Sequence, residues 1–424
     1  MRCLPPLFLV LTSTFLCLPE LAGTVARAEE NASRPTIEQL KSWIADQELS
    51  DENLSALPAQ PFAATALTAD EAEQATAELW NSRTEFLKKK RQAEFDGREI
   101  VIDDLKMPFW YKVFGEAPAA GRSLYISMHG GGGAPAAVND QQYENQKRLY
   151  QPEEGVYLVP RAATNTWDLW HQSHIDPCFE RLITDMILYE NVNPDRVYIM
   201  GYSAGGDGVY QLAPRMADRL AAAAMMAGHP NESRPEGLRN IGFTIHMGAN
   251  DGAYNRNAKA EEWKTLLDSL QAGDKDGYVH EVTLHADRGH WMNLEDAVAI
   301  PWMARFTRNV WPNRIAWVQD DVLHDRFYWL EVLKDSAKAG DRIMASVSEN
   351  EISIEHCDAK AITLLLSDSL LNLDNPVSVK LPSRVKSQHE VKRTIADIAR
   401  SLAQRCDRPA TFSATLQIPI GESE

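Results

Sequence analysis

Cysteine is scarce in this chain, with five in 424 residues. Two of them, Cys3 and Cys17, fall in the first twenty residues, which leaves Cys178, Cys357 and Cys406. An odd, widely spaced set is no disulfide framework, and none of the three has zinc-ligand spacing, so no metal is expected. Cys357 and Cys406 could pair or could both stay thiols; the sequence leaves both open. Basic residues are also in deficit, 43 Lys and Arg against 60 Asp and Glu, for a net charge of -17. A surface of that sign repels phosphate backbones and anionic bilayers, so nucleic acid is not an expected partner. Internal repeats and low-complexity tracts are lacking too, and a composition of 44% hydrophobic and 24% charged residues is that of a folded globular protein.

Long apolar runs are missing as well, except at the very start. MRCLPPLFLVLTSTFLCLPELAGTVARAEE carries Arg2, an apolar stretch from Leu4 to Leu18 and then Ala26-Arg27-Ala28. That is the pattern of a secretory signal peptide over residues 1-28, cleaved after Ala28. The stretch is short for a membrane span and Pro5, Pro6 and Pro19 interrupt it. The expectation is an exported protein, periplasmic or extracellular, with no membrane span after cleavage.

The length predicts more than one structural unit. Residues 29-94 read as an N-terminal lead-in, loosely ordered to about residue 60 apart from a short helix at Ile37 to Ala45. A long helix then opens at Thr68 with a Thr-x-x-Glu cap, acids early and bases late. Over 95-313, strand-like runs such as SLYISMHG, VYLVP, VYIMGYS, FTIHMG and VHEVTLH alternate with helical patterns. Such alternation predicts an α/β catalytic domain, a mostly parallel sheet flanked by helices. Over 314-424 short strands follow one another (RIAWVQ, RIMASVS, EISIEH, AITLLLS), with one helix at His389 to Gln404. That predicts a small β-rich, sandwich-like C-terminal domain.

Within VYIMGYSAGGDGVYQL, the segment Gly201-Tyr202-Ser203-Ala204-Gly205 matches G-x-S-x-G between a strand and a helix. Side chains at the two glycine positions would collide with neighbouring backbone, and the tight turn exposes a serine hydroxyl at a helix N-terminus, where amide groups favour negative charge. Upstream, His129 and Gly130 to Gly133 follow a strand, where an acyl-transfer site needs a second amide for the oxyanion. The predicted hole is Ala204 and Gly131, with Gly132 the next choice. Downstream, Asp251 follows FTIHMG and His290 follows VHEVTLH, giving the order serine, acid, histidine. In that arrangement Asp251 orients His290, which takes the proton from Ser203. His246 and His285 are rival bases inside strands, and Asp287 is the rival acid.

These motifs, HGGGG, GYSAGG, GANDGAYN and DRGHWM, resemble the α/β-hydrolase superfamily over about residues 95-312. The likeness is to secreted esterases grouped with polyhydroxybutyrate depolymerases and feruloyl esterases, and to prolyl-oligopeptidase-like predicted peptidases. It implies a Ser203, Asp251 and His290 triad, no cofactor, and a small-molecule or polymer-derived ester as substrate. A serine peptidase of the same fold and a non-catalytic binding protein on the same scaffold are the alternatives. The strand-rich C-terminal region departs from those minimal esterases.

Trp167 and Trp170 fall in a loop after the VYLVP strand and are candidate substrate-binding walls, or packing under the loop. His171 and His174 lack a carboxylate set to complete a metal site. His229 follows a run ending in Met225 and Met226, which are better core residues than pocket residues.

Overall fold

Eight short runs, most of them rich in β-branched and aromatic residues, pair into one sheet in the computed structural model, which describes Met1 and residues 35-420 other than Arg384. The expected signal segment therefore lies, apart from Met1, outside the described residues. The strands are β1 (Glu99–Ile102), β2 (Leu105–Phe114), β3 (Arg122–Met128), β4 (Gly155–Pro160), β5 (Val192–Tyr202), β6 (Ala222–Met226), β7 (Gly242–Gly248) and β8 (His280–His285). Their order across the sheet is β1-β2-β4-β3-β5-β6-β7-β8. The first two are antiparallel additions at one edge, and every neighbour from β4 to β8 is parallel.

The helices are α1 (Thr36–Ala45), α2 (Asp51–Ala56), α3 (Ala69–Gly97), α4 (Ala136–Leu149), α5 (Ile175–Glu190), α6 (Ala204–Arg215), α7 (Arg256–Gly273), α8 (Ala299–Met303) and α9 (Ile395–Gln404). Period-two alternation sorts the strands onto two cores. Leu124, Ile126, Ile199, Ile245 and Met247 face a cluster shared with Phe179 of α5, Tyr210 of α6 and Trp263 of α7. Tyr125, Tyr198, Met200 and Met226 face the opposite cluster, completed by Ile300 and Met303 of α8, with Tyr143 and Leu149 of α4 against it. Because both faces are covered, β4, β6 and β7 are buried at every position, and such strands read as continuous apolar runs.

After the parallel sheet come β9 (Arg314–Val318), β10 (Arg326–Phe327), β11 (Leu330–Val332), β12 (Arg342–Ser348), β13 (Glu351–Cys357), β14 (Ala361–Leu366), β15 (Val377–Lys380), β16 (Lys386–His389) and β17 (Ala414–Pro419). They form a four-stranded sheet, β10-β11-β14-β17, and a five-stranded one, β16-β15-β13-β12-β9. Ile315, Ile343 and Ile354 of one and Leu364, Leu366 and Ile418 of the other join the same apolar cluster that packs α5 to α7. The β-rich architecture of this region is thus as expected, but its core is continuous with that of the parallel sheet.

Two local expectations are corrected. The helix placed at His389 begins at Ile395, where the Thr394 hydroxyl caps the Asp397 N–H, and residues 386-389 are an edge strand instead. The lead-in is also better ordered than its composition suggests. Ser50 caps α2, the Arg83 guanidinium donates to Leu49 O at 2.9 Å, and Leu40, Leu54 and Leu57 are buried with Ile398 and Leu402 of α9. The apolar residues before Thr68 are too sparse to show a period; they pack on Ala72, Ala75 and Leu79 of α3 and on α9, and the latter lies more than three hundred residues away.

Candidate active site

β5 runs straight into α6 through a single residue, Ser203, held at φ 59° and ψ -120°. A non-glycine residue there costs on the order of 1-3 kcal/mol and persists only when its surroundings over-determine it. They do: the Ser203 N–H donates to Met226 O at 2.9 Å, and the flanking positions admit no side chain. A β-carbon on Gly201 would lie 2.2 Å from Gly205 O, and one on Gly205 would lie 2.2 Å from Met128 O.

Asp251 stands on the turn after β7, 3% exposed, and His290 on the loop after β8. His290 Nδ1 is 2.7 Å from Asp251 Oδ2, and its Nε2 is 2.9 Å from Ser203 Oγ. A carboxylate only accepts, so Nδ1 carries the proton and Nε2 is free to accept from the serine hydroxyl. Arg256 Nη1 lies 3.8 Å from the other Asp251 oxygen. The rivals sit elsewhere. Asp287 is exposed, while His246 and His285 pair at 3.2 Å in the interior. Burial, and then the neighbouring His285, pushes His246 down to about 3.

Sequence reasoning missed Tyr202. Its hydroxyl donates to His290 O at 2.6 Å and accepts from the Met292 N–H at 3.1 Å, and its ring meets the His290 ring edge-on at 6.0 Å. Tyr202, beside Ser203, thereby pins the backbone that carries His290. Nothing in the sequence signals this beyond its place in the motif.

The glycine-rich loop divides into unequal parts. Among the described residues, the N–H groups of Gly131 and Ala204 are spent on no hydrogen bond, and both residues line the hollow at Ser203. Gly132 is corrected as an oxyanion donor, because its N–H donates to Asn139 Oδ1 at 3.0 Å. Asn139, fully buried on α4, returns its own NH₂ to Gly132 O and Ala134 O, and so fixes the loop. His129 is a strut: it accepts the Ala162 N–H on Nε2 and donates from Nδ1 to Gly130 O. Burial pushes its imidazole down to about 4, so it stays neutral.

The two tryptophans part company. Trp167 is 62% exposed and lines the hollow. Trp170 is corrected as a substrate wall: it is fully buried, its indole N–H donates to His129 O at 2.9 Å, and it packs under the loop. Met225 and Met226 are buried in β6, while His229 does line the hollow. Cys178, Cys357 and Cys406 are separate thiols, which closes the pairing question left open above.

The crevice has two lobes that meet at Ser203. One, of about 660 Å³, is lined by Val138, Leu149, Tyr202, His290 and Trp291. The other, of about 400 Å³, is lined by Trp167, Asp207, His229, Asn231, Tyr254 and Arg256. Burial pushes the Asp207 carboxyl up to about 6, against the stabilising His229 N–H.

The strand order, parallel crossovers and strand-serine-helix turn define the α/β-hydrolase fold. Residues 149-320, which contain Ser203, Asp251 and His290, match the dienelactone hydrolase family. The chain is similar to a bifunctional acetylxylan esterase/xylanase of Neocallimastix patriciarum, 28% identical over 186 residues that are 42% of this chain and 27% of that protein. It is also similar to NocK of Nocardia uniformis subsp. tsuyamanensis, described as an esterase, 30% identical over 152 residues, 33% of this chain and 44% of that one. The chain therefore spans less than half the length of either relative. Among solved structures, a thermostable esterase overlaps at TM-score 0.38 and 16% identity, covering 50% of this chain and 62% of that one. A carboxylesterase from Mesorhizobium loti overlaps at TM-score 0.35 and 18% identity, covering 49% and 99%. Overlaps so partial carry no argument about activity.

Proposed function

We propose that this protein is an exported serine hydrolase that cleaves carboxylic esters through an acyl-enzyme. The observation that carries the reading is the unbroken chain from Asp251 Oδ2 through His290 to Ser203 Oγ, at 2.7 and 2.9 Å. In the proposed cycle Ser203 Oγ attacks the carbonyl carbon while His290 Nε2 takes its proton, and Asp251 stays ionised and stabilises the imidazolium. The Gly131 and Ala204 amides receive the oxyanion. His290 then protonates the departing alcohol, and water, deprotonated by the same imidazole, releases the acid. Every step uses this chain's own groups. Export rests on the signal-peptide pattern of residues 1-28.

The test is turnover of a chain-length series of p-nitrophenyl esters beside aminoacyl and peptidyl anilides, for the wild type and Ser203→Ala, with fluorophosphonate labelling in parallel. Ester hydrolysis and labelling that both vanish in Ser203→Ala are expected. Cleavage of anilides alone would move the protein to the peptidases. Silence on every substrate together with no labelling would sink the reading.

A further inference from the structure

The crevice does not end at Ser203. Its polar lobe shares Trp167 with a neighbouring hollow of about 580 Å³. That hollow in turn shares Glu232 and Asp321 with a third, of about 290 Å³, which reaches Val318, Gln319 and Gly340. Together they make one furrow that leaves the nucleophile, passes Trp167 and runs onto the β9 end of the C-terminal sheets. We infer that this furrow binds an extended, uncharged glycan, with the C-terminal sheets supplying its far subsites. The inference rests on the ester-hydrolase reading of Ser203 and gives that site its substrate class.

Four observations carry it. The Trp167 ring is 62% exposed beside the reacting serine and is steadied by an edge-on contact with His171 at 5.4 Å. A flat apolar face at that point suits the C–H face of a pyranose ring, because it desolvates apolar surface without burying the hydroxyls around it. Beyond it the furrow offers acceptors for hydroxyl groups in Asp168, Gln172, Glu232 and Asp321. A donor faces them: Arg215 is 4% exposed, lines the far hollow, and its Nη1 has no hydrogen-bond partner, with Asp320 Oδ2 only within ion-pair reach at 3.8 Å. Lastly, Asp168, Glu232, Asp320 and Asp321 outnumber the exposed cation Arg234, and that field repels a polyanion.

The experiment is calorimetry on the full-length secreted chain carrying Ser203→Ala, titrated with xylo-, cello- and manno-hexaose, the matching disaccharides, and an uncharged hexapeptide. At least one hexasaccharide should bind about tenfold or more tightly than its disaccharide, a difference of about 1.4 kcal/mol. Adding Trp167→Ala, or independently Asp321→Ala at an exposed loop position, should each bring that hexasaccharide to the affinity of its disaccharide. Asp321→Ala keeps the test open should Trp167→Ala fold poorly. Equal affinity for short and long glycans, no glycan binding, or binding of the peptide alone would overturn the inference. The two readings fail separately. Wild-type turnover of p-nitrophenyl acetate without length-dependent glycan binding overturns the furrow alone. Glycan binding without turnover of any ester overturns the ester-hydrolase reading.

Discussion

Asp251 and Tyr202 both act on His290, by different routes, and their removal should be separable. Asp251 accepts the imidazole Nδ1–H at 2.7 Å and so sets the tautomer that leaves Nε2 free for Ser203. Asp251→Asn should leave the fold intact and lower kcat for p-nitrophenyl esters by about 10⁴-fold, the scale known for a triad acid made amide. Tyr202 holds the loop backbone through two hydrogen bonds, at 2.6 and 3.1 Å. Tyr202→Phe keeps the ring and loses both bonds. Stability should fall by about 1-3 kcal/mol, the cost of leaving the His290 carbonyl and Met292 amide without their partner. If the hydroxyl positions the base, kcat should fall about tenfold with KM nearly constant, a loss of transition-state stabilisation alone. The downfield proton resonance of the Asp251–His290 bond should broaden at the same time. A sharp resonance with unchanged kcat would leave Tyr202 a packing residue only.

At the scale of the element, the strand-to-helix turn tolerates no volume. The Gly205 position faces Met128 O at 2.2 Å from a notional β-carbon, so α6 rides directly on the end of β3. Gly205→Ala must push α6 off the sheet or bend β3. The overpacking penalty is about 1-3 kcal/mol, read as a lowered melting temperature, and activity should fall with it because Ser203 and Gly131 sit on the two displaced elements. An unchanged melting temperature would mean the turn can relax. The glycine loop is held by an element in the same way: Asn139 on α4 bonds Gly132 on both sides. That bond takes up the Gly132 amide and, among the described residues, leaves the Gly131 amide unspent beside Ser203.

At the scale of the molecule, a buried ion cluster joins the parallel sheet to the C-terminal region. Arg308 donates to Asp195 at 2.8 Å and to Asp407 at 2.6 Å, Arg219 meets Asp407 at 2.9 Å, and Arg405 meets Asp218 at 2.7 Å. Burial works against the charge on Asp407, but Arg308 and Arg219 outweigh it and hold the carboxyl well below the usual carboxylate range. A carboxyl depressed in the folded state contributes stability that is complete above its unfolded value of about 3.9 and is lost as pH falls below that toward the folded value. Urea midpoints should therefore drop from neutral pH to pH 3, and Asp407→Asn should flatten that drop. At neutral pH the same variant leaves two buried guanidinium groups short of a counter-charge and should cost about 3-5 kcal/mol. A midpoint unmoved at neutral pH would show that Asp195 and Glu180 suffice.

The sequence by itself determined the class of sheet, the strand-serine-helix turn, and the order in which Ser203, Asp251 and His290 leave their strands. All are local: a run of apolar residues makes a buried strand, and a loop after its C-terminal end places what it carries on one edge of the sheet. That Trp167 lies on the same edge as Ser203 was legible for the same reason. Tertiary structure alone decided that Trp170 turns inward to His129 O, that Gly132 spends its amide on Asn139, and that Tyr202 grips the histidine loop. It alone decided, too, that the sparse leucines before Thr68 are buried by α3 and α9 together. Apart from the Gly132 to Asn139 bond, which spans seven residues but joins a loop to a helix by a side chain no local pattern marks, each is a contact between elements distant in the chain, and a pattern read over ten or twenty residues holds no record of which distant partner will satisfy a buried donor or cover an apolar face.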